Sequence, residues 1–231
     1  MPPVPGPASL EQLSDQEPAE AWPGLPASLP VAAGHVHVTR ADVAAAASAA
    51  DTLPADERAR AQRFRRSEPR ARYLAGRVLL RELLRRCPDA AQDAPLTPSA
   101  QGKPRLHGAG SPGFSISHAG DVVLVALGRG EVGVDVEAPR PHLDGLALAR
   151  RLLPPHDVQH LAAVPADARP GAFLVLWTRH EAALKCRGVG LGGAPSAAEG
   201  LVIRSFALPG GYAGAIAAAA PFALSRWSWR P

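Results

Sequence analysis

Residues 114–137 read Phe-Ser-Ile-Ser-His-Ala-Gly-Asp-Val-Val-Leu-Val-Ala-Leu-Gly-Arg-Gly-Glu-Val-Gly-Val-Asp-Val-Glu, and this stretch decides the fold. Phe114, Ile116 and His118 alternate with Ser115 and Ser117, and Val122 to Leu127 is an apolar run of strand length. Gly128-Arg129-Gly130 makes a turn, and Val132 to Glu137 is a third strand closed by Pro139. A period of two with short Gly-containing breaks predicts hairpin-linked strands. In the third strand Asp135 and Glu137 share a face, their Cα atoms roughly 7 Å apart, while Val134 and Val136 point into a core. Two carboxylates on one face fit either a solvated surface beside Arg140 or a site for a hard cation such as Mg²⁺. Ser117 and His118, being adjacent, point to opposite faces and make no nucleophile–base pair. A Gly-x-Ser-x-Gly elbow is also absent. His118 reads as a phosphate donor or as a structural histidine.

Toward the C-terminus, residues 168–187 carry a helical pattern in which Trp177, Glu181 and Lys185 fall on one face at four-residue spacing. The adjoining face is apolar (Phe173, Leu174, Leu176, Leu184), so the Glu181–Lys185 pair lies at the edge of a buried surface. It reads as an ion pair or as part of a site. The segment from Gly188 to Gly193 satisfies G-x-G-x-x-G but follows a helix, so Gly188 is expected to end that helix rather than bind a dinucleotide. Residues 143–163 are a further helical stretch. Strand-like runs fill 201–208, 212–219 and 222–229, with a buried strand pair expected between Tyr212 and Leu224.

Toward the N-terminus, a Pro/Gly-rich connection (89–112) contains Gly102-Lys103-Pro104. Before it come helices over 51–66 and from Pro69 to Pro88. The second has Tyr73, Leu74, Val78, Leu79, Leu83 and Leu84 on one side and Arg70, Arg72, Arg77, Arg81, Arg85 and Arg86 over the rest. A short strand begins at His35. Helices followed by hairpin strands, twice over, give an α+β class. The expected division is a disordered Pro-rich tail over 1–30 and α+β halves over 31–130 and 131–231.

The 231 residues are 46% hydrophobic and 20% charged, enough for a sizeable core. No apolar run spans a bilayer, and the N-terminus lacks the basic start and apolar stretch of a secretory signal. Two cysteines make neither a disulfide framework nor a zinc site, so a cytoplasmic protein is expected. A formal charge of +4 favours acidic partners. All but two of the 25 basic side chains are arginine; the exceptions are Lys103 and Lys185.

Five blocks, in order, resemble the 4'-phosphopantetheinyl transferases, specifically the long monomeric type that activates surfactin synthetase. They are Arg72 to Arg81, Gly102-Lys103-Pro104, Phe114 to His118, Gly133 to Glu137, and Trp177-Thr178 through Glu181 to Lys185 with Gly188 to Leu191. The resemblance covers roughly residues 34–220 and implies two similar α+β halves related by pseudo-twofold symmetry, with the active site in the cleft between them. It implies transfer of the phosphopantetheine arm of coenzyme A to a serine of an apo acyl or peptidyl carrier protein bearing an acidic docking helix. It further implies Mg²⁺ on Asp135, Glu137 and Glu181, with Glu181 also the candidate base. For coenzyme A it implies His118 and Lys185 toward the phosphates, Lys103 and Arg72 toward the 3'-phosphate end with Arg60 or Arg63 nearby, and Pro104 and Ser117 within their blocks. His180 stands where the family usually has lysine; it keeps a possible cation, one that titrates near neutrality. The alternative from another class is a basic nucleic-acid-binding protein or metal-dependent nuclease.

Overall fold

The structure, a computed structural model, describes residues 22–88, 90, 94–99, 101–106, 108, 111–190 and 198–231. In chain order the elements are β1 (His35–Asp42), α1 (Val43–Ser48), α2 (Ala55–Gln62), α3 (Ser67–Arg86), β2 (Leu96–Pro98), β3 (Pro104–Leu106), β4 (Gly113–Ala119), β5 (Val122–Gly128) and β6 (Val132–Glu137). They continue with α4 (Gly145–Leu152), α5 (Pro155–Ala163), α6 (Arg169–Arg187), β7 (Val202–Leu208), β8 (Tyr212–Ala218) and β9 (Ala223–Ser228). The class is α+β, as the alternation of patterns predicts.

Two sheets form the centre. In the first, ordered β4-β5-β1-β9, β5 pairs antiparallel with both β4 and β1, and β9 lies parallel to β1. The second, β6-β8-β7, is antiparallel throughout. Side-chain alternation sorts β5 cleanly. Val123, Val125 and Leu127 meet Leu79, Leu80, Leu83 and Leu84 of α3, while Leu124 and Ala126 meet Val132, Val134, Val136, Phe206 and Ile216 of the second sheet. The far face of that sheet, through Ala215 and Ala217, packs on Ala182 and Cys186 of α6. The layers are therefore α3, first sheet, second sheet, α6. Burying each leucine gains roughly 1.5–3 kcal/mol and costs about 0.5–1 kcal/mol of rotamer freedom, so the apolar stripe decides how α3 sits.

Several expectations change. The helical stretch 143–163 breaks at Pro154-Pro155 into α4 and α5, because proline removes an amide donor and clashes with the preceding turn. The helix expected over 51–66 is confined to α2, after a short 3₁₀ turn at Ala50–Thr52. Arg81 is buried rather than surface-facing: its guanidinium donates to Glu57 at 2.9 and 3.4 Å and to the Ala94 carbonyl at 2.9 Å, tying α2 to α3. Tyr212 to Leu224 is not one strand pair. β8 pairs with β6 and β7, and the last run crosses to β1 in the other sheet.

The expected tail also ends sooner. Residues 1–21 lie outside the described residues, but Trp22 and Leu29 are buried, the latter 1% exposed. Leu25 N–H donates to the Ser228 carbonyl at 3.0 Å, and Leu29 N–H to the Arg86 carbonyl at 2.7 Å. Trp22 and Leu29, buried, and Leu25, partly buried, strap this proline-rich segment down.

Candidate functional site

β6 turns Asp135 and Glu137 away from the sheet-to-sheet core and toward α6. Gly133 permits this. A methyl group there would overlap the Ala182 carbonyl and crowd the Cys186 amide, so the helix backbone lies directly on the strand. α6 then presents its Trp177–Glu181–Lys185 stripe to the two carboxylates. Trp177 Nε1–H donates to Glu137 Oε1 at 3.2 Å, and Lys185 Nζ reaches Asp135 Oδ1 at 2.6 Å. Lys185 is thus paired with Asp135, 4% exposed, which rules out the solvated-face reading of that strand.

Glu181 completes the group. Its Oε1 and Asp135 Oδ2 are buried without a hydrogen-bond partner. Burial, then Asp135 and Glu137, push the Glu181 pKa up to about 6 against the opposing pull of Lys185. Burial and Asp135 likewise raise that of Glu137, opposed by Arg140 and the Trp177 hydrogen bond. The three carboxylates are therefore electrostatic neighbours. As placed, however, no three His, Cys, Asp or Glu side chains among the described residues stand close enough to clasp one ion together.

Ser115 and Ser117 do something the sequence pattern did not signal. β4 and β6 are edge strands of different sheets, and the two hydroxyls bridge them. Val134 N–H donates to Ser115 Oγ at 3.1 Å, and Val136 N–H to Ser117 Oγ at 3.4 Å. Ser117 also donates to Asp135 Oδ1 at 2.8 Å and accepts from Lys185 Nζ at 2.9 Å.

His118 lies on the opposite face of β4, as alternation requires. It lines a groove of about 500 Å³ with Phe64, Arg72, Tyr73, Arg77 and Ile116. Desolvation of the flank against the protein, then Arg72 and Lys185, lower its pKa, with a hydrogen bond and Asp135 opposing. Arg60 and Arg63 border an adjoining hollow that shares Phe64. Lys103 and Lys185 line a second cleft of about 270 Å³, with Phe114, Ser115, Gly188 and Val189. Pro104 and Ile116 border both cavities. The structure therefore does not put Lys103 beside Arg72: Lys103 Nζ donates to Glu131 at 2.8 Å and to the Val132 carbonyl at 3.0 Å, while Arg72 pairs with Glu68. Tyr73 and Arg77 join the groove although no role had been expected of them; Arg60 and Arg77 lie 5.9 and 5.2 Å from the Tyr73 ring centre.

Gly188 ends α6 in the left-handed region (φ 71°), with Val189 N–H bonded to the Leu184 carbonyl. Leu191 to Gly193 lie outside the described residues. Cys87 and Cys186 are free and buried. His180 packs on the Trp177 ring at 5.8 Å, and burial lowers its pKa, with Asp157 opposing, which disfavours the cation. Among the described residues no helix is long and apolar enough to cross a membrane.

Two family models match the chain: "4'-phosphopantetheinyl transferase, N-terminal" over residues 40–129 and "4'-phosphopantetheinyl transferase superfamily" over 131–221. The 4'-phosphopantetheinyl transferase HetI of Nostoc sp. is 31% identical over 179 residues, 74% of this chain and 76% of HetI. Protein slr0495 of Synechocystis sp., provisionally given the same transferase name, is 39% identical over 147 residues, 61% of this chain. The transferase AcpT of Salmonella typhimurium is 35% identical over 120 residues, 52% of this chain. The chain spans 59% of the length of each of these last two. The nucleic-acid alternative gains no support from these likenesses.

Proposed function

The chain belongs to the 4'-phosphopantetheinyl transferase superfamily, and on that premise we propose that it moves the 4'-phosphopantetheine arm of coenzyme A onto a serine of an apo acyl or peptidyl carrier protein. The observation that carries this reading is that Asp135 Oδ2 and Glu181 Oε1 are buried and unpartnered in the neighbourhood of Glu137 and Lys185. Buried carboxylate oxygens without donors are costly unless a ligand satisfies them. Hard oxygen donors of this kind suit Mg²⁺, and we assign the three carboxylates to it. When bound, the ion supplies charge neutralisation for the transferring phosphoryl group.

The protein's own part is to bind, orient and move a proton. The carrier serine oxygen forms a bond to the pantetheine-side phosphorus of the pyrophosphate. The bridging P–O bond breaks, and adenosine 3',5'-bisphosphate leaves with that electron pair. The serine proton needs an acceptor. Glu181 is our candidate acceptor; without a cation its pKa is raised to about 6, and a bound Mg²⁺ would draw it down again, so its place beside the reacting groups and not its basicity is the argument for it. Lys185 places a cation at the edge of the second cleft, and His118, lining the groove, offers a ring N–H to a phosphate oxygen. Arg72, with Arg60 or Arg63, supplies positive charge for the 3'-phosphate end; Pro104 borders both cavities and Lys103 lines the second cleft. The two halves each contribute residues to this site, the chain acts as a cytoplasmic monomer, and its arginine-rich surface meets the acidic helix of the carrier.

Incubation of an apo carrier protein with coenzyme A, Mg²⁺ and the enzyme should add the mass of one phosphopantetheine arm, read by intact-mass spectrometry. EDTA or Glu181→Ala should reduce the gain at least a hundredfold. No gain across a panel of apo acyl and peptidyl carriers would overturn the proposal.

A further inference from the structure

We infer that the buried Glu57–Arg81 pair is a positioning device for the groove beside His118: it holds α2 so that Arg60 and Arg63 stand at the groove's edge, and so sets the preference for coenzyme A over its 3'-dephospho form. The inference rests on the 3'-phosphate reading above. α2 has little else to hold it. Of its eight residues only Glu57 and Ala61 are buried, and one methyl group is a weak anchor. Arg81 supplies the stronger one. Its Nε and Nη2 grip the two carboxylate oxygens of Glu57 as a fork, and its Nη1 donates to the Ala94 carbonyl at 2.9 Å. One buried guanidinium thus joins α2, α3 and the segment that follows α3.

The two helices meet again beside the groove. Arg60 lies over the Tyr73 ring, and Phe64, just past the end of α2, packs on the same ring at 5.3 Å. On α3, Tyr73, Arg77 and Arg81 follow one another at four-residue spacing along one face. The face that grips Glu57 at one level therefore lines the groove in the turns before it. Arg72 Nε and Arg77 Nη1 are buried there without a hydrogen-bond partner, which suits a groove that receives an anion. Removing half of a buried ion pair leaves the other charge uncompensated, so loss of the Glu57 charge should release α2 and carry Arg60 and Arg63 away. Electrostatics alone predicts the reverse, since neutralising an anion near the groove would favour an anionic ligand.

The test uses the full chain, calorimetry in Mg²⁺ buffer, and two ligands that differ only in the 3'-phosphate, coenzyme A and 3'-dephospho-coenzyme A. A hydrogen bond to a charged group is worth about tenfold or more, so the unaltered chain should prefer coenzyme A by about that factor. Glu57→Gln should weaken coenzyme A binding about tenfold and that of the dephospho form less than about twofold. In a chain carrying Arg60→Ala and Arg63→Ala, where no α2 arginine is left to position, Glu57→Gln should cost less than about twofold for either ligand. Glu82→Gln, which breaks a pairing with Arg85 and Arg86 further along α3, should change neither affinity. Should Glu57→Gln fail to fold, Arg81→Lys, which keeps the charge but gives up the fork, should show the same selective loss in smaller measure. Equal losses for both ligands, no loss, or a gain for coenzyme A overturns the inference. If the unaltered chain does not tell the two ligands apart, the 3'-phosphate reading itself falls and takes this inference with it.

Discussion

At the scale of single residues, Glu181 is held at a cost. Burial and two neighbouring carboxylates raise its folded pKa to about 6, from an ordinary value near 4.5. Between those two values the folded chain keeps the proton more readily than the unfolded chain, so stability falls as pH rises through the window, and the cost is fully present above pH 6. The side chain is only half buried, and hydration trims the effect to about 1 kcal/mol. Glu181→Gln in EDTA should then raise the melting temperature at pH 8 by about 2–4 °C and by less at pH 4.5. Scanning calorimetry at the two pH values checks this; an unchanged or lower melting temperature at pH 8 would show no such cost. The pattern made this residue visible through its spacing from Trp177 and Lys185. It did not show which partner Lys185 takes, because a pair one turn apart on a helix looks the same whether or not a strand carboxylate intervenes. His180 shows the same blindness: its type was readable, but the burial that lowers its pKa and its contact with Trp177 were not.

At the scale of elements, the contact of α6 with β6 brings the site together, and it depends on one missing side chain. Gly133→Ala should push α6 off the strand and destabilise the fold by about 3 kcal/mol, the upper range for overpacking, measurable by urea unfolding. The mean distance from Glu181 to Asp135 would grow with it, so the melting temperature of the variant should respond less to Mn²⁺ than that of the unaltered chain. Within β4 and β6 the alternation of side chains was legible, and it placed His118 and Ser117 on opposite faces correctly; the all-apolar run of β5 showed a strand but not which residues face which layer. What alternation could not reveal is that β4 and β6 border different sheets and are joined by serine hydroxyls. Hydrogen bonds from side chain to backbone between distant segments leave no periodic trace. Arg81 was hidden for a related reason, since its helix position suits solvent while partners distant in sequence, Glu57 and the Ala94 carbonyl, draw it inward.

At the scale of the whole molecule, the chain closes on itself. The strap at residues 22–29 bonds to both Arg86 and Ser228, and β9 completes the sheet that β1 opened. Composition concealed the strap, because proline-rich stretches with few apolar residues ordinarily stay unpacked, and no local signal announces a parallel pairing across the length of the chain. Leu29→Ala should cost about 2–5 kcal/mol, as for other fully buried leucines, and a chain shortened to begin at residue 31 should melt at least as early; a loss below about 1 kcal/mol, typical of surface positions, would mean that the strap holds nothing. The return of β9 also bears on how the protein is made. His35 in β1 and Ser225 in β9 are hydrogen-bonded at a separation of 190 residues, so on the ribosome one edge of the first sheet stays bare until nearly all of this sequence has emerged. During those seconds of translation the nascent chain carries an open β-edge, a surface for chaperones to shield.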